Sequence, residues 1–250
     1  MDPIAAWVAD HALMLFLTLP ALSAAAALAI WRLAAALPAG RRRIALYAGL
    51  ACGMAVLFTG LALSVRGQGG LVMFDMLLAR HLGASVAPRA LWALSWFTHL
   101  GDRDFLTVVA VGMTSLLLLR RQWLLGAGCV AATLGGGLLN LFLKSAFQRE
   151  RPVFEHEYAA VSGWSFPSGH ASAAMAVYGM ACYLLLRVLP TPWRPACVAG
   201  AAALIMGIGI SRVLLQVHYA SDVVAGFAVT ALWLALCVAV VERRLGPARG

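Results

Sequence analysis

Charge is scarce in this chain. Only 12% of its 250 residues are Asp, Glu, Lys or Arg, the acidic residues number 10, and lysine occurs once, at Lys144. Soluble domains carry roughly a quarter of their residues charged, so solvation by water is excluded for most of this chain and solvation by lipid is implied. Cysteine is sparse too. Cys52, Cys129, Cys182, Cys197 and Cys237 are odd in number, lie in apolar stretches and lack the close pairing of a metal site, which leaves small apolar packing as their role. The opening residues hold Asp2 and Asp10 but no basic run, so the first apolar segment is expected to remain in the mature protein. Without low-complexity tracts, soluble linkers or internal repeats, residues 1–250 read as one membrane domain.

What is present is apolar: 62% of the residues are hydrophobic and the mean hydropathy is +0.86. A crossing helix needs about 20 apolar residues, and windows of that kind lie near 12–31, 44–65, 123–143, 169–186, 195–211 and 220–241. A seventh crossing is expected from Leu100 to Leu119, although Asp102, Arg103 and Asp104 interrupt its start. Between Arg66 and His99 the amphipathic runs Leu71–Leu82 and Leu91–Phe97 suit helices lying in the interface. The fold class is therefore all-α, a polytopic transmembrane bundle of about seven spans.

The net charge is +9 and the pI about 10.1. No basic face interleaved with aromatics accompanies it, so nucleic acid is not an expected partner. Cytoplasmic loops accumulate Lys and Arg. Arg41–Arg43, Arg120–Arg121, Arg187 with Arg194, and Arg243–Arg244 fall on one side if there are seven spans. Taking that side as cytoplasmic puts the N-terminus, the 66–99 stretch, the Gln148–Phe166 loop and the Ser211–Tyr219 turn outside.

Three polar groups interrupt the apolar pattern, all at span ends on the outer side. In the first, six residues separate Lys144 from Arg151, which Pro152 follows. If the helix continues that far, both cations share a face about 10 Å apart along the axis and can grip a phosphate; a snorkelling interfacial lysine is the alternative. The second is Pro167–Ser168–Gly169–His170, a helix start whose free N–H groups and Ser168 hydroxyl suit an anion, with His170 in the first turn able to exchange a proton. A plain helix start is its alternative. In the third, Ser211 and Arg212 precede His218 and Asp222. Residues four apart on a helix share a face, so Asp222 can fix the His218 tautomer and leave its other nitrogen nucleophilic, while Arg212 offers a two-pronged contact to phosphate oxygens. An ion pathway or a structural pair is equally open for this group.

In these blocks, Lys144–Pro152, Pro167–His170 and Ser211–Asp222, the chain resembles the type 2 phosphatidic acid phosphatase superfamily, which shares its site with vanadium haloperoxidases. The likeness runs from about Asn140 to Gly226, and the Leu100–Gly101–Asp102 stretch is also familiar; Gln216 and Ala220 stand where glycine and proline are frequent. The resemblance implies a six-helix phosphatase core to which the first span is an addition, with the part of the core that carries the three blocks at about 100–242. It implies that His218 attacks phosphorus, Asp222 orients it, His170 protonates the departing lipid oxygen, and Lys144, Arg151, Arg212 and the Ser168–Gly169 backbone hold the other oxygens. No metal and no cofactor is implied. Water attacking a phosphohistidine, with His170 as base, then completes the cycle.

Glu155, His156 and Glu157 are adjacent and cannot surround an ion, so they read as a solvated loop. His11, His81 and His99 have no polar partner at a telling spacing and read as interfacial. Trp7, Trp92, Trp96, Trp123, Trp164 and Trp193 read as an aromatic belt, and Gly135–Gly137 as a point of close helix packing. The expected function is an integral membrane lipid phosphatase acting on a lipid phosphate or diphosphate such as undecaprenyl diphosphate, phosphatidylglycerol phosphate or phosphatidic acid. Its expected place is the bacterial inner membrane, with the site facing the periplasm or exterior. A lipid phosphotransferase using the same intermediate is the alternative; a transporter is disfavoured because the charges gather at one face instead of at mid-membrane depth.

Overall fold

The computed structural model describes residues 3–38, 40–153, 156–158 and 161–245, and every regular element among these is helical. Six helices are long and apolar enough to cross a membrane: α2 (Ala12–Ala36), α3 (Arg41–Arg66), α7 (Trp123–Phe147), α8 (Gly169–Val188), α9 (Arg194–Leu214) and α10 (Ala220–Leu245). Lipid offers no hydrogen bonds, so an apolar run must satisfy its backbone internally, and the helix does so. Large apolar side chains such as Leu17, Val56, Phe142 and Leu236 stand exposed around the bundle, as a lipid-facing surface requires.

The remaining helices are α1 (Pro3–Asp10), α4 (Gly70–Ser85), α5 (Pro88–Thr98) and α6 (Arg103–Leu119). The 66–99 stretch thus forms two separate helices of 16 and 11 residues. Their buried faces, Leu78 and Leu82 from α4 and Leu91 and Leu94 from α5, join Ala5 and Ala9 of α1 in a cluster with Leu214, Leu215 and Val217. This cap covers one end of the bundle, where α9 turns into α10.

Contacts at helix ends give each helix its direction. At the capped end, Arg66 of α3 lies over the Phe147 ring of α7, and Arg212 of α9 reaches Thr98 of α5. At the opposite end, Leu117 of α6, Leu125 of α7 and Val241 of α10 pack together, and Arg187 of α8 pairs with Glu242. With its 17 residues, α6 is shorter than the six long helices, at about 26 Å, yet it runs between the two ends. The arginine clusters therefore sit away from the cap.

Small residues permit the tightest approaches. A Cβ at Gly226 of α10 would come within 2.9 Å of the Ser168 carbonyl oxygen, so this glycine lets α8 start against α10. In the Gly135–Gly137 run, Gly135 accommodates Trp233, Gly136 faces Ala176 and Thr230, and Gly137 faces open space.

Candidate functional site

The turn between α9 and α10 carries the third block. Arg212 closes α9, and its carbonyl accepts from the His218 backbone N–H at 3.3 Å. The helical face expected to hold both His218 and Asp222 is not continuous: α10 starts at Ala220, so His218 precedes it and Asp222 lies in its first turn. There Asp222 Oδ2 accepts from the Tyr219 N–H at 2.9 Å, a carboxylate closing a helix N-terminus. The turn nevertheless brings His218 Nδ1 to 3.5 Å from Asp222 Oδ2. Ser165 joins the pair, its hydroxyl lying 3.3 Å from Nδ1 and donating to Oδ2 at 2.5 Å. With Nδ1 facing these oxygens, the tautomer that fits carries its proton there and turns the Nε2 lone pair outward. Burial pulls the His218 imidazole from its ordinary 6.5 down to about 3, against the opposing pull of Asp222, so the ring is neutral near pH 7.

The first block departs from the expected geometry. α7 ends at Phe147 because Gln148 adopts a left-handed conformation, with φ 46° and its N–H bonded to the Lys144 carbonyl. Arg151 therefore does not share a helix face with Lys144. The extended segment carries it back over the site, where Nη1 lies 3.1 Å from His218 Nε2 and donates to the Val217 carbonyl at 2.7 Å. Carbonyls of 162–164 hold both cations: Arg151 Nε donates to Gly163 at 2.9 Å, and Lys144 Nζ donates to Trp164.

In the second block, Ser168 is the N-cap of α8 and its hydroxyl accepts weakly from the Ala171 N–H at 3.5 Å. Its own N–H donates to the Asp222 carbonyl at 2.9 Å, and the residue is fully buried. Ser168 thus ties α8 to α10, whereas Gly169 and His170 line the cavity described below. The His170 Nε2 lies 2.8 Å from Asp102 Oδ1, and the other oxygen of Asp102 lies 2.5 Å from His99 Nδ1. His99 accordingly does have a polar partner, contrary to the sequence-based expectation; the short 3₁₀ turn His99–Gly101 brings the two together. The hydrogen bond from His170 holds the Asp102 carboxyl at about 2, below its ordinary 3.8, with burial acting in the opposite direction. Gly101 admits this arrangement, since a Cβ there would lie 3.1 Å from the His170 ring.

These groups converge on a cavity of about 1040 Å³ lined by Lys144, Arg151, Gly169, His170, Arg212 and His218. Arg212 is 3% exposed and gives Nη1 to Thr98, while its buried Nε has no partner among the described residues. From this charged head the cavity continues along an apolar wall, with Leu106 and Val111 from α6 and Leu134 and Leu138 from α7. Gly137 lies in that wall. Its polar end suits a phosphate and its apolar length suits a hydrocarbon chain.

Several residues that shape the site were not singled out from the sequence. Asp102 stood out as an interruption of a span and as part of the familiar Leu100–Gly101–Asp102 stretch, with no role attached to it. Arg149 lies inside the first block between its two named cations, Ser165 sits just before the second block, and Asp75 lies in an amphipathic run with no motif. Glu155 of the expected solvated loop is outside the described residues; Glu157 is exposed, and His156 Nε2 lies 2.9 Å from the Leu215 carbonyl.

A profile described as the PAP2 superfamily matches residues 125–245. Phosphatidylglycerophosphatase B of Bacillus subtilis is 35% identical over 158 residues, a stretch covering 58% of this chain and 73% of that protein. A lipid A 1-phosphatase of Rhizobium johnstonii is 32% identical over 201 residues, covering 70% of this chain and 78% of the relative. Among solved structures, a transmembrane PAP2 type phosphatidylglycerolphosphate phosphatase from Bacillus subtilis superposes with a TM-score of 0.69 at 27% identity, covering 80% of this chain and 98% of the other. The helical membrane bundle and these likenesses together define an integral membrane phosphatase. The chain belongs to the PAP2 superfamily, and with it to the membrane lipid phosphatases.

Proposed function

We propose that this protein hydrolyses a lipid phosphate or diphosphate at the extracytoplasmic face of a bacterial inner membrane, through a phosphohistidine on His218. The observation that carries the reading is the cavity itself, in which three cations and two histidines surround one end of an apolar groove. The chain acts as a single membrane domain, with residues 100–242 as the phosphatase core and α6 as the seventh crossing. The arginine clusters at the far end of the bundle support the orientation.

In the first step His218 Nε2 attacks phosphorus, the N–P bond forms, and the P–O bond to the lipid breaks. Arg151, now 3.1 Å from Nε2, exchanges that contact for a non-bridging oxygen. Lys144, Arg212 and the Gly169 backbone hold the remaining charge, and Ser168 fixes the start of α8 that presents this backbone. Preorganised donors of this kind supply much of the barrier reduction in phosphoryl transfer. His170 passes a proton to the departing oxygen from Nδ1, the nitrogen that Asp102 does not hold. In the second step His170 takes a proton from water, which attacks phosphorus and releases inorganic phosphate, restoring His218. Asp222 steadies the ring while it carries positive charge.

Phosphate release by the purified protein tests the reading against phosphatidylglycerol phosphate, phosphatidic acid and undecaprenyl diphosphate. Phosphatidylglycerol phosphate leads this panel because a curated relative and a solved structure, both from Bacillus subtilis, are named for it. The expected result is free phosphate from at least one lipid, with labelled phosphohistidine trapped by alkaline quench in the wild type and none in His218→Ala. Transfer of the label to a second lipid without release into water would replace the hydrolase with a transferase.

A further inference from the structure

Asp222, the carboxylate beside His218, is paired with Arg149, and Arg149 is in turn held by a carboxylate from outside residues 125–245, the region that matches the family. Asp75 lies on α4, at the capped end, and is 1% exposed. Its Oδ2 accepts from Arg149 Nη2 at 2.9 Å and from the Ser221 hydroxyl, and its Oδ1 accepts from the Ser221 N–H at 3.3 Å. Arg149 gives its other arm to Asp222 Oδ1 at 2.7 Å and to the Ser221 hydroxyl at 2.7 Å, and lies over the Tyr219 ring at 4.1 Å. The oxygens of Asp222 are thereby divided, Oδ1 to Arg149 and Oδ2 to Ser165, the Tyr219 N–H and His218.

From this arrangement we infer that Asp75 is a positioning residue for the reaction: by engaging one arm of Arg149 and bracing Ser221, it keeps Asp222 oriented and anionic toward His218. The inference rests on the reading of His218 as the nucleophile. A buried guanidinium paired with Asp222 alone would neutralise it, and the imidazole would face a pair of zero net charge. Burial pushes the Asp75 carboxyl up, and the bonds from Ser221 and Arg149 oppose that push; ionised, Asp75 gives the buried cluster two carboxylates to one guanidinium and leaves a surplus negative charge available to His218. That charge matters most when the ring becomes a phosphoimidazolium cation, because low-dielectric surroundings strengthen the interaction. The geometric part is equally specific. Arg149 is planar and forked, so fixing one nitrogen on Asp75 fixes the direction in which the other approaches Asp222.

The test is a double-mutant cycle of Asp75→Asn and Asp222→Asn in purified full-length protein, using dioctanoyl phosphatidic acid as substrate. Asp75→Asn alone is expected to lower kcat about ten- to a hundredfold with KM within about twofold, and to cost less than about threefold more in the Asp222→Asn background. Asp75→Glu is expected to recover part of the loss. If Asp75→Asn does not yield folded protein, Arg149→Lys, which keeps a cation but lacks the planar fork that fixes the direction toward each carboxylate, is put through the same cycle with the same expectation. Unchanged kcat in either variant, or an equal fold-loss with and without Asp222, overturns the proposal, since a merely structural role multiplies through both backgrounds. The two readings fail separately. Turnover retained by His218→Ala removes the nucleophile assignment, whereas an inactive His218→Ala beside a fully active Asp75→Asn removes the role of Asp75 alone.

Discussion

At the residue scale, the site depends on a histidine kept neutral in a buried turn. His218 is 3% exposed and its imidazole is held near 3, so the nitrogen proposed to attack phosphorus is unprotonated across the physiological range without any base having to remove a proton first. His218→Ala is expected to lower kcat by on the order of a thousandfold or more, while Asp222→Asn leaves a small residual rate through a misoriented ring; steady-state phosphate release distinguishes the two. The same burial appears in stability. A histidine with a folded value below its unfolded value favours the fold while neutral, so its contribution is complete above pH 6.5 and is lost as pH falls toward 3. Between those limits unfolding takes up one extra proton, which steepens the loss of stability by about 1.4 kcal/mol per pH unit. Denaturant unfolding in detergent at pH 6.5, 5.5 and 4.5 should show that slope in the wild type and a correspondingly shallower one in His218→Ala.

At the scale of elements, three helix ends and one loop meet where no single element could build a site. α7 brings Lys144, the loop after it brings Arg151, α8 brings His170 and α9 brings Arg212, while the 162–164 carbonyls hold two of the cations in place. The apolar wall between α6 and α7 decides what kind of molecule can place its phosphate there. Gly137 leaves that wall open, since an added Cβ meets nothing within 4 Å. Gly137→Phe is expected to raise KM for a long-chain lipid phosphate about tenfold, the equivalent of a few lost methylene burials, and to leave hydrolysis of a short soluble phosphate ester within about twofold. Equal losses on both substrates would show that the wall does not hold the chain.

At the scale of the whole molecule, charge is segregated between the two ends. Arg187 and Glu242 pair at the end away from the cap, and the other arginine clusters lie there too, which under the positive-inside rule is the ground for the proposal that the site faces outward. Single cysteines at Glu157 and Arg121, in a background without the five native cysteines, test this on intact cells with a membrane-impermeant thiol reagent. Labelling is expected at 157 and not at 121; the reverse pattern would turn the protein over and move its substrate to the inner leaflet. Because cationic side chains are assigned the phosphate, chelation is expected to leave more than about half of the turnover intact. Loss of activity restored by added magnesium or zinc would contradict that assignment.

By itself the sequence determined what each segment must become. Runs of apolar residues near the thickness of a bilayer have one stable form in lipid, so the six long helices were legible from hydropathy. His170, Arg212, His218 and Asp222 were legible because each block stays within a few residues of chain, where local spacing dictates proximity. Tertiary structure decided the rest. The left-handed Gln148 ends α7 and redirects Arg151 onto His218, and a two-turn helical spacing carries no sign of that break. Ser168 turns its polar groups into α8 and α10 because the start of that helix is packed against Gly226. Asp102 meets His170 across about 68 residues of chain, and Asp75 meets Arg149 across about 74. Sequence periodicity reports only neighbours along one element. Such partners are chosen by how helices pack, and in this protein a carboxylate from the head of α6 was brought to His170 and one from the cap to Arg149, which pairs with Asp222.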